Sequence, residues 1–261
     1  MKKLLISGCS FAYGLGLELF HPEINGKDWP ERPSTWKERN PHIKQFIYDN
    51  RWGKLLADKL GLKEVNVSNP GNSNLGASLS LKEWINLNGL DDVDTIVFQL
   101  TCPVRAAALP NESEVMTGYE LAMYLEKYLN TTDWKNLENN QYIMSLLDSS
   151  YNLKRNEICV EDLTRMFDEF EKRGIKCYLL EWLRQEQFGY PTSKMAPFMR
   201  TNKYRLNLFG TGETVEDWSE RRRLKGGHWM QDNGYHMYFW EGHLGIEGCK
   251  ELANEIYKAI K

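Results

Sequence analysis

The chain has no run of apolar residues approaching the roughly 20 that a membrane-spanning helix requires, so no membrane partner is expected. It has no excess of either charge. With 33 basic and 36 acidic side chains the net charge is −3, which advertises no polyanion-binding surface, and no nucleic-acid partner is expected. Cysteines are few, five in 261 residues, odd in number and scattered at Cys9, Cys102, Cys159, Cys177 and Cys249. None forms a C-x-x-C pair and no histidine stands at a metal-finger spacing from them, so the expectation is reduced, mostly buried thiols in a cytoplasmic protein, with no metal. Gly14-Leu15-Gly16 is no dinucleotide fingerprint, and the Lys-Ser/Thr of a phosphate-binding loop is missing. Internal repeats and low-complexity tracts are absent as well. One resemblance is set aside. Ile6-Ser7-Gly8-Cys9 after Lys2-Lys3 has the look of a lipoprotein cleavage box, but only Leu4, Leu5 and Ile6 intervene where a signal peptide needs about 7–15 apolar residues.

What is present is alternation. Short apolar runs predict strands at Lys3–Ser7, Glu64–Ser68, Thr95–Leu100 and Lys176–Glu181, and the unbroken apolarity of the first, third and fourth suits strands covered on both faces. Helical periodicity fills the intervals at Arg51–Leu60, Leu75–Leu87, Val160–Arg173 and about Ile246–Ile260. Strands alternating with helices in one chain of this length predict a single domain over residues 1–261. The expected architecture is a flavodoxin-like three-layer α/β/α fold with a central parallel sheet of about five strands. Three stretches exceed what connections need: the polar loop Phe20–Asn50, a helical insertion over Leu109–Glu157, and the irregular Ser193–Trp240.

The residues that carry chemistry sit at the two ends of the chain. Ser10 follows the first predicted strand in the small-residue turn Gly8-Cys9-Ser10, and Glu241-Gly242-His243 leads into the last helix. A serine hydroxyl is a weak nucleophile that needs a base within hydrogen-bond reach, itself oriented by an acid. Ser10 as nucleophile, His243 as base and Glu241 as orienting acid fill those three roles. Donors for an oxyanion are expected from the backbone N–H groups of Ser10 and Gly71, which follows the second strand, and from the hydroxyl of Thr101 at the end of the third. All of these lie at carboxyl ends of strands, where open α/β sheets bind ligands.

Each residue has a plainer alternative. A serine also serves a tight turn after a strand, and the Gly71 turn and the Glu241/His243 pair in chain order favour the nucleophile. Gly71 is equally explained by a positive φ. Cys9 as a thiol nucleophile is disfavoured because consecutive residues after a strand point different ways. His228 and His236 are a weak metal pair, Arg221-Arg222-Arg223 is ordinarily a solvated face, and Trp29, Trp36, Trp229 and Trp240 either stack on sugar rings or pin their loops.

On these blocks the chain resembles the SGNH (GDSL-like) hydrolase family, in particular its divergent branch common in phage and bacterial genomes. The first block is Gly8-Cys9-Ser10-Phe11, with Cys9 where the family usually has Asp. The second is Asn66, Gly71, Ser73 and Asn74, and the last is Glu241, His243 and Gly248. The third block departs. In place of Gly-x-Asn-Asp the register gives Gln99-Leu100-Thr101-Cys102, so Thr101 or Gln99 must replace the usual Asn donor. Glu241 replaces an Asp and stands two rather than three residues before the histidine; Asp232 is a lesser candidate for its role. The resemblance covers the four core strands and the terminal helix. It implies a serine esterase acting on small acyl, acetyl-type, esters, on a small molecule or a carbohydrate, with Gly71, Thr101, Asn74 and Gln99 as oxyanion or substrate-binding positions and no cofactor. The same centre also suits an acyltransferase, and the missing Asn suits a non-catalytic binding module on a hydrolase scaffold.

Overall fold

A computed structural model describes residues 1–22, 41–103, 149–182, 195–209, 213–222 and 243–261. Its centre is a parallel sheet of β1 (Lys3–Ser7), β2 (Lys63–Asn66), β3 (Val93–Leu100) and β4 (Lys176–Glu181), in the order β2-β1-β3-β4. Leu5 is paired with Val65 on one side and Ile96 on the other, and Phe98 with Leu179. Leu4, Leu5 and Ile6 are fully buried, as the continuous apolar run requires.

The expected number of about five strands is corrected to four among the described residues. In the fifth position, beside β4, the chain makes a single parallel bridge at Leu179↔Arg205. It is held by Leu179 N–H to the Tyr204 carbonyl at 2.7 Å and by Leu206 N–H to the Leu179 carbonyl at 2.9 Å. The segment pairs for one residue only, too briefly to count as a strand.

The helices are α1 (Ser10–Tyr13), α2 (Pro41–Asn50), α3 (Trp52–Leu60), α4 (Asn74–Asn88), α5 (Ser149–Lys172), α6 (Met195–Thr201), α7 (Val215–Arg222) and α8 (Ile246–Ile260), with a 3-10 turn at Leu17–Phe20. Several differ from expectation: α6 and α7 lie inside Ser193–Trp240, which reads as irregular, and α1 begins in the expected small-residue turn. α2 occupies the end of what reads as a polar loop. Pro41 stands at its first position, where a missing N–H costs nothing, and Ile43 and Ile47 supply an i, i+4 buried pair. α5 begins well before Val160, inside the stretch expected to be an insertion; the remainder of that insertion, residues 104–148, lies outside the described residues.

Strand side chains alternate between two buried clusters, as the pleat demands. Leu4, Ile6 and Val97 join Trp52 and Leu56 of α3 and Leu252 and Ile256 of α8. Leu5, Ile96 and Phe98 join Ala77 and Leu81 of α4 and Leu163 and Phe167 of α5. Cys159, Cys177 and Cys249 are free and buried among these side chains, and burial pushes each thiol up to about 12. Among the described residues no helix is long and apolar enough to cross a membrane.

Candidate active site

β1 ends at Ser7, whose hydroxyl donates to the Ala77 carbonyl of α4 at 2.7 Å, and the chain then turns through Gly8 and Cys9. A Cβ on Gly8 would lie 2.7 Å from Gln99 Oε1 and 2.9 Å from Gln99 Cβ, so only glycine lets the turn pass this close to β3. The Cys9 N–H donates to Gln99 Oε1 at 3.3 Å. Ser10 follows as the first residue of α1, with its carbonyl accepting from the Gly14 N–H at 3.0 Å. Its own N–H stands at a helix start, where no intrahelical acceptor exists.

His243 meets it from the other end of the chain. Nε2 lies 2.9 Å from Ser10 Oγ, and both side chains are buried. The two ends converge because they share one core. Leu4 and Ile6 of β1, Phe11 and Ala12 of α1, Leu244, and Cys249, Leu252, Ala253 and Ile256 of α8 all belong to the same cluster. Each of the fully buried Leu and Ile side chains contributes about 1.5–3 kcal/mol to holding this arrangement. The position in the sheet is also significant. Ser10 stands beyond the carboxyl end of β1, between β2 and β3, where the strand order reverses and open α/β sheets form their ligand crevice.

For Nε2 to accept the serine proton, the neutral ring must carry its own proton on Nδ1, the side on which an orienting acid would sit. Glu241, expected in that role, lies outside the described residues, as do Asp232, His228, His236, Arg223 and the loop tryptophans Trp29, Trp36, Trp229 and Trp240.

The remaining expected residues divide. Gly71 has a φ of 82° in a turn closed by the Asn72 N–H to the Asn69 carbonyl at 3.2 Å. That turn is laced to the Gly8–Ser10 turn by Asn72 Nδ2, which donates to the Gly8 carbonyl at 3.4 Å. Thr101 follows β3, and its N–H is committed to Asn74 Oδ1 at 2.8 Å.

Asn74 and Gln99, expected at oxyanion or substrate-binding positions, are hydrogen-bonded within the fold. Asn74 Nδ2 donates to Asn156 Oδ1 of α5 at 2.6 Å and to the Thr101 carbonyl at 3.4 Å, so this side chain joins three elements behind the site. Gln99 is fully buried under the Gly8–Ser10 turn, with Nε2 donating to the Leu100 carbonyl at 3.1 Å and the amide contacting Cys9 Sγ at 3.6 Å. Both amides support backbone. Asn66 behaves alike, donating from Nδ2 to the Ala12 carbonyl at 2.8 Å, and Ser73 caps α4 by accepting from the Gly76 N–H at 3.1 Å.

Sequence reasoning passed over Phe11 and Trp182. The Phe11 ring stacks on the His243 imidazole at 4.5 Å and on the Trp182 ring at 4.2 Å. Phe11 stands inside the quoted first block, so the signal was its adjacency to Ser10; Trp182 carries none beyond its place after β4. Among the described residues there is no group of three or more His, Cys, Asp or Glu side chains that could hold a metal ion. Compared with known proteins, the chain matches no family model and no curated protein.

Proposed function

We propose that this chain is a serine esterase of the SGNH type, hydrolysing small acyl esters by nucleophilic acyl transfer. The observation that carries the reading is the 2.9 Å approach of His243 Nε2 to Ser10 Oγ across 233 residues of chain. A serine and a histidine buried together at a strand-order reversal have a standard use, which is proton transfer from the hydroxyl as it attacks. Ser10 Oγ bonds to the acyl carbon while His243 takes its proton, and the imidazolium returns that proton to the departing alcohol. Water, deprotonated by His243, then releases the acid. In this reading Glu241 is assigned the role of orienting acid, and the amides of Ser10 and Gly71 with the Thr101 hydroxyl receive the oxyanion. The scaffold belonging to this reading is a three-layer flavodoxin-like fold. The strand order β2-β1-β3-β4, with Tyr204–Leu206 in the fifth position, supports it.

The test is covalent. A fluorophosphonate probe is expected to label the wild-type protein at Ser10 and to leave Ser10→Ala unlabelled, with turnover of p-nitrophenyl acetate falling by about a thousand-fold or more. An adduct on another residue, or undiminished turnover in a folded Ser10→Ala protein, overturns the reading. Adding sugar acceptors and analysing the products separates hydrolysis from acyl transfer.

A further inference from the structure

We propose that Phe11, backed by Trp182, is a positioning residue for His243, holding the imidazole plane so that Nε2 stays aimed at Ser10 Oγ. The inference rests on the reading of His243 as the base. A histidine χ2 is broad and roughly two-fold, so the covalent chain does not by itself fix the ring. The hydrogen bonds of a base histidine lie in the ring plane, one at Nε2 and one at Nδ1. They fix where the nitrogens point but leave the ring free to rock about the line joining them. A flat surface against one face suppresses that rocking.

Phe11 supplies the surface. Its ring centroid lies 4.5 Å from that of His243 with 29° between the planes, and its other neighbour, Trp182, lies at 4.2 Å and 16°. The three rings form one stack, with Phe11 in the middle and 4% exposed. Two features make the stack a rigid reference. Phe11 is the residue after Ser10 on α1, so nucleophile and plate are joined by one peptide bond. Trp182 is fixed by its backbone, with its N–H donating to the Leu100 carbonyl at 3.1 Å and its carbonyl accepting from the Glu216 N–H at 3.0 Å. The indole N–H of Trp182 has no hydrogen-bond partner among the described residues. Its contribution to the stack is therefore ring area.

The experiment compares Phe11→Leu, which fills similar volume without a flat face, with Phe11→Tyr, which keeps the face. Histidine is labelled with 15N, the His243 signals are assigned with His243→Gln, and spectra are recorded above about pH 8, where histidine is ordinarily neutral. Wild-type protein is expected to show separate Nδ1 and Nε2 shifts, the mark of one fixed tautomer. In Phe11→Leu these shifts are expected to converge and fluorophosphonate labelling of Ser10 to slow by about five-fold, within the range a lost aromatic pair produces. Phe11→Tyr is expected to keep both near wild type, and Trp182→Phe to move them slightly in the Leu direction. Should Phe11→Leu fail to fold, Phe11→Met takes its place. A Phe11→Leu or Phe11→Met protein that keeps the wild-type shift separation overturns the proposal, as does a Phe11→Tyr protein disturbed as much as Phe11→Leu. If wild-type protein takes no probe at all, the esterase reading fails, while the shift comparison still decides the role of Phe11.

Discussion

At the amino ends of the strands, polar side chains pair in water: Lys3 with Asp92 at 3.4 Å and Lys2 with Asp94 at 3.6 Å, each pair having a partner more than half exposed. At the carboxyl ends, apart from the Arg205–Glu181 ion pair at the end of β4, the polar side chains are neutral amides, hydroxyls and an imidazole, and most are buried. Ser7, Ser10, Asn72, Asn74, Gln99, Thr101 and His243 are all in this class. The contrast is one of consequence. An exposed ion pair exchanges one hydration for another and contributes about 0–1 kcal/mol. A buried amide left unpaired costs about 1–3 kcal/mol, so each one enforces the position of its neighbour. Gln99 fixes the Cys9 peptide, Asn74 fixes the end of β3 against α5, and Asn72 joins the Gly71 turn to the Gly8 turn. The Ser10–His243 hydrogen bond lies at the end of the sheet where geometry is enforced in this way.

The largest expected effect falls on chemistry and leaves the scaffold intact. Ser10→Ala and His243→Ala should each lower ester turnover by about a thousand-fold or more, and the double variant should lose little further, since the two act as a unit. Independent, additive losses measured by steady-state kinetics would break the pairing. Next comes the ion pair on the β2 flank, where the same charges as at the amino edge are buried. Arg51 grips Glu64 through Nε at 2.9 Å and Nη2 at 2.6 Å, and the Glu64 side chain has no exposure. Arg51→Met should cost about 3–5 kcal/mol by urea denaturation, because it strands a buried carboxylate.

That variant also carries a pH signature. Burial pushes the Glu64 carboxyl above its ordinary value, against the pull of the Arg51 guanidinium. A carboxyl raised in the fold holds a proton that the unfolded chain has released, so stability falls as pH rises through the interval between the two values. Without Arg51 the interval widens. The urea midpoint of Arg51→Met should therefore recover on going from about pH 7 to about pH 5 by more than that of the wild type. An equal response in both proteins would mean that Arg51 does not control this carboxyl.

A smaller loss is expected at Asn74. Asn74→Ala leaves the Thr101 N–H and Asn156 Oδ1 without this partner and should cost about 2–3 kcal/mol by thermal or urea denaturation. A loss of activity at full stability would instead return Asn74 to the substrate-binding role expected of it from the sequence.

That expectation shows where sequence reading stops. β1 and β4 were read to the residue, and Ser10 and His243 were paired, because continuous apolar runs, turn glycines and a terminal amphipathic helix are one-dimensional signals. The direction of a polar side chain is not such a signal. Asn74 and Gln99 stand at or beside strand ends, but whether an amide faces a ligand or the neighbouring backbone depends on which strand end lies 3 Å away. Phe11 was visible as a residue and invisible as a ring between two others, for the same reason. α2 was missed on composition: Ile43 and Ile47 are too few apolar residues to stand out in a polar stretch, and they became a buried face only once the core they enter was formed.

The smallest effect tests the other side of the contrast. Lys3→Ala should change stability by less than about 1 kcal/mol, and 0.5 M salt should erase most of that difference because exposed charges are screened. Lys3 also places its ammonium 5.6 Å from the Trp84 ring, so part of any loss should survive in salt and disappear in a Trp84→Leu background. A double-mutant cycle of Lys3 with Asp92, measured at low and high salt, separates the two contributions. A coupling to Asp92 well above 1 kcal/mol would mean that the amino edge enforces geometry as strictly as the carboxyl edge, and burial would no longer explain why Ser10 and His243 meet where they do.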